Sequence, residues 1–392
     1  MKYDFDEIIS RKNTNSLKWD CCEVFFEKND IIPLWVADMD FKTPDFVIDA
    51  IRKRAEHEIM AYTFRADSFF ESARDWLYRR NGWQIDIKSM AYAPGVVPAL
   101  NFAVESLTNP NDKIVIQTPV YPPFFNAVTD NGRILVENPL IEKNGYYTID
   151  FDNLEQKLAD DAKMLIFCNP HNPVGRVWNK SELSHIAELC VKYNVKLISD
   201  EIHSDLIFKH HKHTYISSLS DGIAQLTLTC IAPSKTFNLA GFATAIVHSL
   251  NSDILSTFNK RIERYHIGMG NIFGNVAFEA AYKYGDEWLN QLLEYLDDNA
   301  GWVCNYLNEN IPIVKARKPE GTYLMWLDFR ELNMGVKELR NFLIHNAGIG
   351  LNDGFTFGKG GIGFMRLNIA CSRTILKKAL LQLKQAIDNK FN

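Results

Sequence analysis

Between residues 90 and 247, apolar residues come in short runs bounded by Asp, Asn or Pro. Runs at 114–117, 134–137, 164–168, 195–199, 226–230 and 243–247 are predicted strands. Their near-continuous hydrophobicity suits strands covered on both faces, as in a mainly parallel sheet. Between the runs the period lengthens. Residues 180–193 line up Leu183, Ile186, Ala187, Leu189 and Cys190 as one stripe, which predicts an amphipathic helix. Strands alternating with helices predict an α/β architecture, an open sheet with helices on both faces.

After Val247 the pattern changes. Residues 252–284 and 285–310 read as long helices, followed by strands at 322–328 and 365–369, each with a helix behind it. This predicts a second, smaller α+β domain. The first forty-odd residues are too short to fold alone and are expected to pack against it. We expect a large domain over 46–285 and a discontinuous small domain of 1–45 and 286–392. No repeat or low-complexity linker interrupts the chain.

Composition narrows the class. The 392 residues are 46% hydrophobic, enough for a large core or two smaller ones. A net charge of −5 argues against a nucleic-acid grip, which needs clustered Lys and Arg. The one basic run, Lys209-His-His-Lys-His213, is expected to be a solvated loop, and no metal site is expected there. Seven scattered cysteines without a CxxC pair fit reduced thiols, not a disulfide framework. The N-terminal residues are charged and carry no signal-peptide pattern. No apolar run approaches the roughly 20 residues that span a bilayer. The expectation is a cytoplasmic protein without nucleic-acid or membrane partners.

Three polar residues then stand out. Lys235 lies in Ala-Pro-Ser-Lys-Thr-Phe-Asn, Asp200 in Leu-Ile-Ser-Asp-Glu-Ile-His, and Asn172 in Cys-Asn-Pro-His-Asn-Pro-Val-Gly. An amine, a carboxylate and an amide in this order supply what a pyridoxal phosphate site needs. The amine forms a Schiff base, the acid pairs with the pyridine nitrogen, and the amide bonds the phenolic oxygen. Each interval between them fits one strand–helix unit, which would place all three on one rim of the sheet. Taken singly, Asp200 also reads as a helix cap and Lys235 as a surface lysine.

Further candidates are less specific. Ser234 and Thr236 flank Lys235 with hydroxyls suited to phosphate. Pro94-Gly95-Val96-Val97 precedes a helix-like stretch, where backbone N–H groups suit a dianion or simply turn the chain. Tyr121, among prolines, would lie over a ring or pack a loop. Arg366, inside an apolar strand, would hold a substrate carboxylate or an internal salt bridge.

The chain resembles the fold-type I pyridoxal phosphate enzymes, the class I/II aminotransferase superfamily, over nearly its whole length. More narrowly, it is similar to the MalY/PatB branch of cystathionine β-lyases, or C–S lyases. The residues that carry this are Trp35-Val-Ala-Asp-Met-Asp-Phe41, Ser199-Asp-Glu-Ile-His203, Ala232-Pro-Ser-Lys-Thr-Phe-Asn-Leu-Ala-Gly241 and Phe364-Met-Arg-Leu-Asn-Ile369. The resemblance implies a large domain built on a mainly parallel seven-stranded sheet. It makes Lys235 the Schiff-base lysine and proton shuttle, Asp200 the pyridine-nitrogen partner, Asn172 the phenolic-oxygen partner and Tyr121 the stacking ring. Val96 and Val97 would give phosphate-binding amides, with Ser234 beside them. Arg366 would hold the substrate carboxylate, with Ala37 lining the same pocket. Tyr62 matches a tyrosine that reaches a neighbouring subunit, which implies a homodimer with shared active sites; a buried core Tyr is the other reading. Three positions depart from typical aminotransferases. His203 replaces a tyrosine at the phenolic oxygen, Ala232 replaces a phosphate-contacting Ser, and Ala243 replaces a phosphate-contacting Arg.

The function so implied is β-elimination from cystathionine and related cysteine S-conjugates to a thiol, pyruvate and ammonia. An aminotransferase on the same scaffold is the main alternative, and a pyridoxal phosphate-binding regulatory protein a further one.

Overall fold

The computed structural model describes residues 2–391. Seven strands form the main sheet: β1 (Met90–Ala93), β2 (Lys113–Ile116), β3 (Ile134–Glu137), β4 (Ala162–Cys168), β5 (Lys196–Asp200), β6 (Thr227–Ile231) and β7 (Ala245–His248). Their order is β1-β7-β6-β5-β4-β2-β3. Only β7 runs against its neighbours; every other pairing is parallel. The expected seven-stranded, mainly parallel α/β sheet is therefore present, with strand limits moved by at most two residues.

Both faces of the sheet are covered, which explains the unbroken apolar runs. Along β4, Met164, Ile166 and Cys168 join one core cluster, while Leu165 and Phe167 join another. Successive side chains point to opposite faces of a strand. The same parity in β5 sends Ile198 to the first cluster and Leu197 to the second.

Helices α1 (Asp45–Ala55), α2 (Asp67–Asn81), α3 (Val96–Leu107) and α4 (Lys180–Tyr193) precede or cross over the sheet. Helix α4 has the predicted limits. Asn179 and Glu182 form a capping box at its start, and Asn194 ends it in the left-handed region, with φ of 52°. The predicted single helix over 252–284 is two, α5 (Ser252–Arg264) and α6 (Ile272–Tyr284). Between them Gly268 and Gly270 interrupt the pattern, and the Asn271 side chain accepts from the Gly274 N–H to start α6 afresh.

Helix α7 (Asp286–Asn310) buries Trp288, Leu289, Leu292, Leu296, Val303 and Leu307. Beyond it stand four short strands, β8 (Lys315–Ala316), β9 (Leu324–Asp328), β10 (Asn352–Asp353) and β11 (Phe364–Asn368), antiparallel in the order β8-β9-β11-β10. Helix α8 (Arg373–Phe391) closes the chain. The N-terminal segment lies on these elements. Phe5 packs against Trp288 and Tyr295 on α7, and Ile32–Pro33 pairs in parallel with Ile349–Gly350.

Replacing Asn179 by Ala removes the α4 cap. The expected loss is about 1 kcal/mol in urea unfolding, and Asn179→Asp should retain most of the stability.

Candidate active site

The carboxyl ends of the parallel strands converge on one cleft of about 240 Å³. β5 brings Asp200 as its last residue, and β4 brings Cys168 and, just beyond it, Asn172. The loop after β6 brings Ser234 and Lys235. The turn after β1 brings Gly95, Val96 and Val97. Because β7 is antiparallel, its amino end reaches the same rim and brings Ala243 and Thr244. Ala37, Tyr121 and His203 also line it.

Asp200 is buried, and its carboxylate accepts a hydrogen bond from the Ile202 N–H at 3.1 Å. Desolvation pushes its carboxyl up to about 7, against the Ile202 N–H and the Lys235 charge and with the help of the Glu201 charge. Among the described residues it makes no ion pair. A buried acid in this state fits a protonated ring nitrogen. Lys235 Nζ donates to the Ala37 carbonyl at 2.7 Å. Burial, then the neighbouring Arg366 charge, lower its amine to about 8, against the pull of Asp38 and Asp200.

Helix α3 begins at this cleft without a side-chain cap, so its first N–H groups have no cap partner. Gly95 turns the chain into it at φ of 117°, a region that side-chain-bearing residues avoid. Together with Ser234, this fits a phosphate. His203 is buried with no partner on Nδ1 among the described residues, and burial holds its imidazole well below its usual range. Acid, amine, helix start and aromatic wall thus fit the pyridoxal phosphate that the sequence resemblance implies.

Arg366, central in β11, points its guanidinium at neutral oxygens. It donates to Asn172 Oδ1 (3.1 Å), Asn352 Oδ1 (2.6 Å) and the Trp35 carbonyl (2.9 Å). Its Nε is buried and unpaired among the described residues, and desolvation lowers its pKa to about 10. No described carboxylate pairs with it, so the internal salt bridge considered above is absent. A buried cation bonded only to neutral acceptors suits an arriving carboxylate. Asn172 spends its carbonyl on Arg366 and keeps its N–H groups for another acceptor.

Sequence reasoning missed what holds the 35–39 strap. Its five carbonyls are all bonded: Trp35 by Arg366, Val36 and Asp38 by Asn368, Ala37 by Lys235 and Tyr323, Met39 by Arg11 and Asn238. Two cations fix it from outside. Arg11 pairs with Asp38 (2.7 Å) and Asp40 (2.8 Å), and the buried Lys18 with Asp40 (2.8 Å). Asn368 was legible as a polar residue two positions from Arg366 on the same strand face; Arg11, Lys18 and Tyr323 carry no local signal.

One alternative reading fails and one expectation needs correction. Tyr62 is 93% exposed, so the buried-core reading fails, and it does not line its own chain's cleft. The basic run is not wholly solvated: Lys209 to Lys212 are exposed, but His213 is buried because it pairs with the buried Glu201 at 2.6 Å.

Known proteins match nearly the whole chain. The sequence profile of the aminotransferase class I and II family matches residues 29–383. Cystathionine beta-lyase PatB of Bacillus subtilis (strain 168) is 41% identical over 98% of this chain and 100% of its own length. The crystal structure of cystalysin from Treponema denticola, which contains a pyridoxal 5′-phosphate cofactor, superposes with a TM-score of 0.96 at 40% identity, covering 99% of this chain and 100% of that one. The PLP-bound C–S lyase from Staphylococcus hominis does so with a TM-score of 0.91 at 34% identity, over 98% of each chain.

A carboxyl raised from 3.8 to about 7 holds its proton more tightly in the folded than in the unfolded chain, so its contribution to stability falls as pH rises from about 4 to about 7. Asp200→Asn should therefore stabilise the cofactor-free protein at pH 8, by roughly 1–4 kcal/mol, and lose that advantage near pH 4. Urea unfolding at the two pH values checks this.

Proposed function

We propose, for a chain that belongs to the class I and II aminotransferase family, that it is a pyridoxal phosphate-dependent C–S β-lyase, cleaving cystathionine and related cysteine S-conjugates to a thiol, pyruvate and ammonia. One observation carries the reading: Lys235, Asp200 and Arg366 serve one cleft in a chain that aligns end to end with a cystathionine β-lyase.

Lys235 would hold the cofactor's aldehyde carbon covalently, and Asp200 its ring nitrogen. Asn172 and His203 would flank its phenolic oxygen, Tyr121 would cover a ring face, and Val96, Val97 and Ser234 would take the phosphate. When bound, the cofactor supplies an electron-poor ring that stabilises negative charge on the substrate's α-carbon. Arg366 binds the substrate α-carboxylate in two-pronged fashion, beside Ala37 on the strap. The Lys235 amine, lowered to about 8, has a substantial neutral fraction near neutral pH and takes the Cα proton as general base. The C–S bond breaks with its electron pair on sulfur. Thiolate leaves without a dedicated acid, and the remaining aminoacrylate hydrolyses to pyruvate and ammonia. Transamination would instead need a 2-oxo acid to regenerate the enzyme each cycle.

Two further assignments belong to this reading. The segment 59–64 exposes Ile59, Met60, Tyr62 and Phe64, an apolar patch suited to a second copy. We propose a homodimer in which Tyr62 of each chain serves the phosphate end of the other's cleft. No helix among the described residues is long and apolar enough to cross a membrane, and we propose a cytoplasmic location.

Incubated with cystathionine alone, the enzyme should release pyruvate over many turnovers. Lys235→Ala should abolish this, along with borohydride-stable labelling by the cofactor. A single turnover revived only by a 2-oxo acid would establish an aminotransferase instead. Arg366→Lys should raise KM for cystathionine roughly 10–100-fold, the worth of a lost charge-assisted bond, with a smaller change in kcat.

A further inference from the structure

The two-pronged grip assigned to Arg366 meets an obstacle, because its guanidinium is already occupied. A guanidinium carries five N–H hydrogens in a rigid planar fork, one on Nε and two on each terminal nitrogen. Nη2 makes two hydrogen bonds, one for each of its hydrogens, to Asn352 Oδ1 at 2.6 Å and to the Trp35 carbonyl at 2.9 Å. Nη1 donates to Asn172 Oδ1 at 3.1 Å. Nε is buried with no partner among the described residues. A carboxylate meets such a fork along an edge, either Nη1 with Nη2 or Nε with Nη2. Both edges include Nη2. Two-pronged binding therefore requires Nη2 to release one of the oxygens it holds.

The fork is not free to swivel. Arg366 lies on β11 between β9 and β10, opposite Trp326 on one side and Asn352 on the other. Its Cζ stands 5.0 Å from the centroid of the Phe357 ring, a cation–π contact that holds the plane. The two acceptors on Nη2 differ in freedom. The Trp35 carbonyl is main chain in the bonded strap, and its own indole packs on Phe25 and Phe26 and donates to the Lys18 carbonyl. Asn352 is half-buried, and its bond to Arg366 is the one its side chain makes among the described residues. A change of rotamer there frees Nη2 without moving any backbone. Whichever hydrogen of Nη2 is freed, it belongs to one of the two edges. The Asn352 oxygen is neutral, and a carboxylate makes the stronger, charge-assisted bond to Arg366. A neutral ligand gains nothing by the exchange.

We propose that Asn352 is a positioning residue for the substrate carboxylate: its side-chain oxygen is a placeholder on Arg366 Nη2 that the arriving α-carboxylate displaces, so the anchor opens to anions and stays closed to neutral ligands. This rests on the reading of Arg366 as the carboxylate anchor of the cleft. The test is calorimetric titration of the full-length, cofactor-loaded protein with 3-(methylthio)propionate. This thioether carboxylate resembles a cysteine S-conjugate without its α-amino group, so it binds without reacting. Asn352→Ala removes the oxygen that must be displaced and should bind the probe roughly fivefold more tightly than wild type, the worth of one ordinary hydrogen bond. Asn352→Asp sets a resident carboxylate on Nη2 and should bind the probe roughly tenfold or more weaker. An amide that merely braces Arg366 predicts the opposite sign for the alanine variant. Asn352→Ala binding no tighter than wild type would overturn the proposal, and so would Asn352→Asp binding as tightly as wild type. If the alanine variant does not fold, Asn352→Leu, close in shape but without the oxygen, is read in its place with the same two outcomes. Arg366→Lys in the same titration tests the functional reading separately. If that variant binds the probe as tightly as wild type, Arg366 is not the anchor, whatever the Asn352 variants do.

Discussion

Three ionisable groups are kept out of water in one cleft without neutralising one another. Asp200, Lys235 and Arg366 are each desolvated, and their ordinary partners are backbone amides, carbonyls and side-chain amides. Burial of an ion without a counter-ion costs several kcal/mol, and the shifts of the acid upward and of both bases downward record that cost. The rest of the fold offsets it. Apolar clusters on both faces of the sheet and around α7 are extensive enough to hold the rim rigid. A ligand that brings a cationic ring, an aldehyde and a carboxylate relieves all three groups at once. The cleft is therefore complementary to charge that arrives from outside.

The strap at 35–39 transmits order from the chain's beginning to that cleft. Its carbonyls are spread over Arg366, Asn368, Lys235, Tyr323, Arg11 and Asn238, so neither rim nor strap can move independently. Arg11 and Lys18 hold its acidic side chains from the outer side. Behind the sheet, the buried His213 ring bonds the buried Glu201 carboxylate. Charge is thus balanced around the cleft and left open within it, which separates groups that stabilise the fold from groups that meet a ligand.

Much of this was legible because it follows local rules. Buried strands write themselves as apolar runs, and a parallel sheet puts the residue after each run on one edge. Hence Asp200, Asn172 and Lys235 could be placed together before any coordinates. The helix over 180–193 was legible to the residue, since its Asn179 cap and apolar stripe are both local. The break between α5 and α6 was missed, although Gly268, Gly270 and the Asn271 cap that restarts the helix are its local signals.

The sequence by itself determined the α/β sheet, its order of strand and helix, and the identity of the amine, acid and amide at its rim. Periodicity and turn chemistry are properties of neighbours in the chain, and a sequence displays those directly. Only the tertiary structure decided which partners those groups would have. Among the described residues Arg366 has no counter-ion, Lys18 is buried against Asp40, His213 leaves a basic run to meet Glu201, and Tyr62 stands outside its own cleft. Each depends on contacts between residues distant along the chain, and the desolvation that shifts a pKa exists only once those contacts have excluded water.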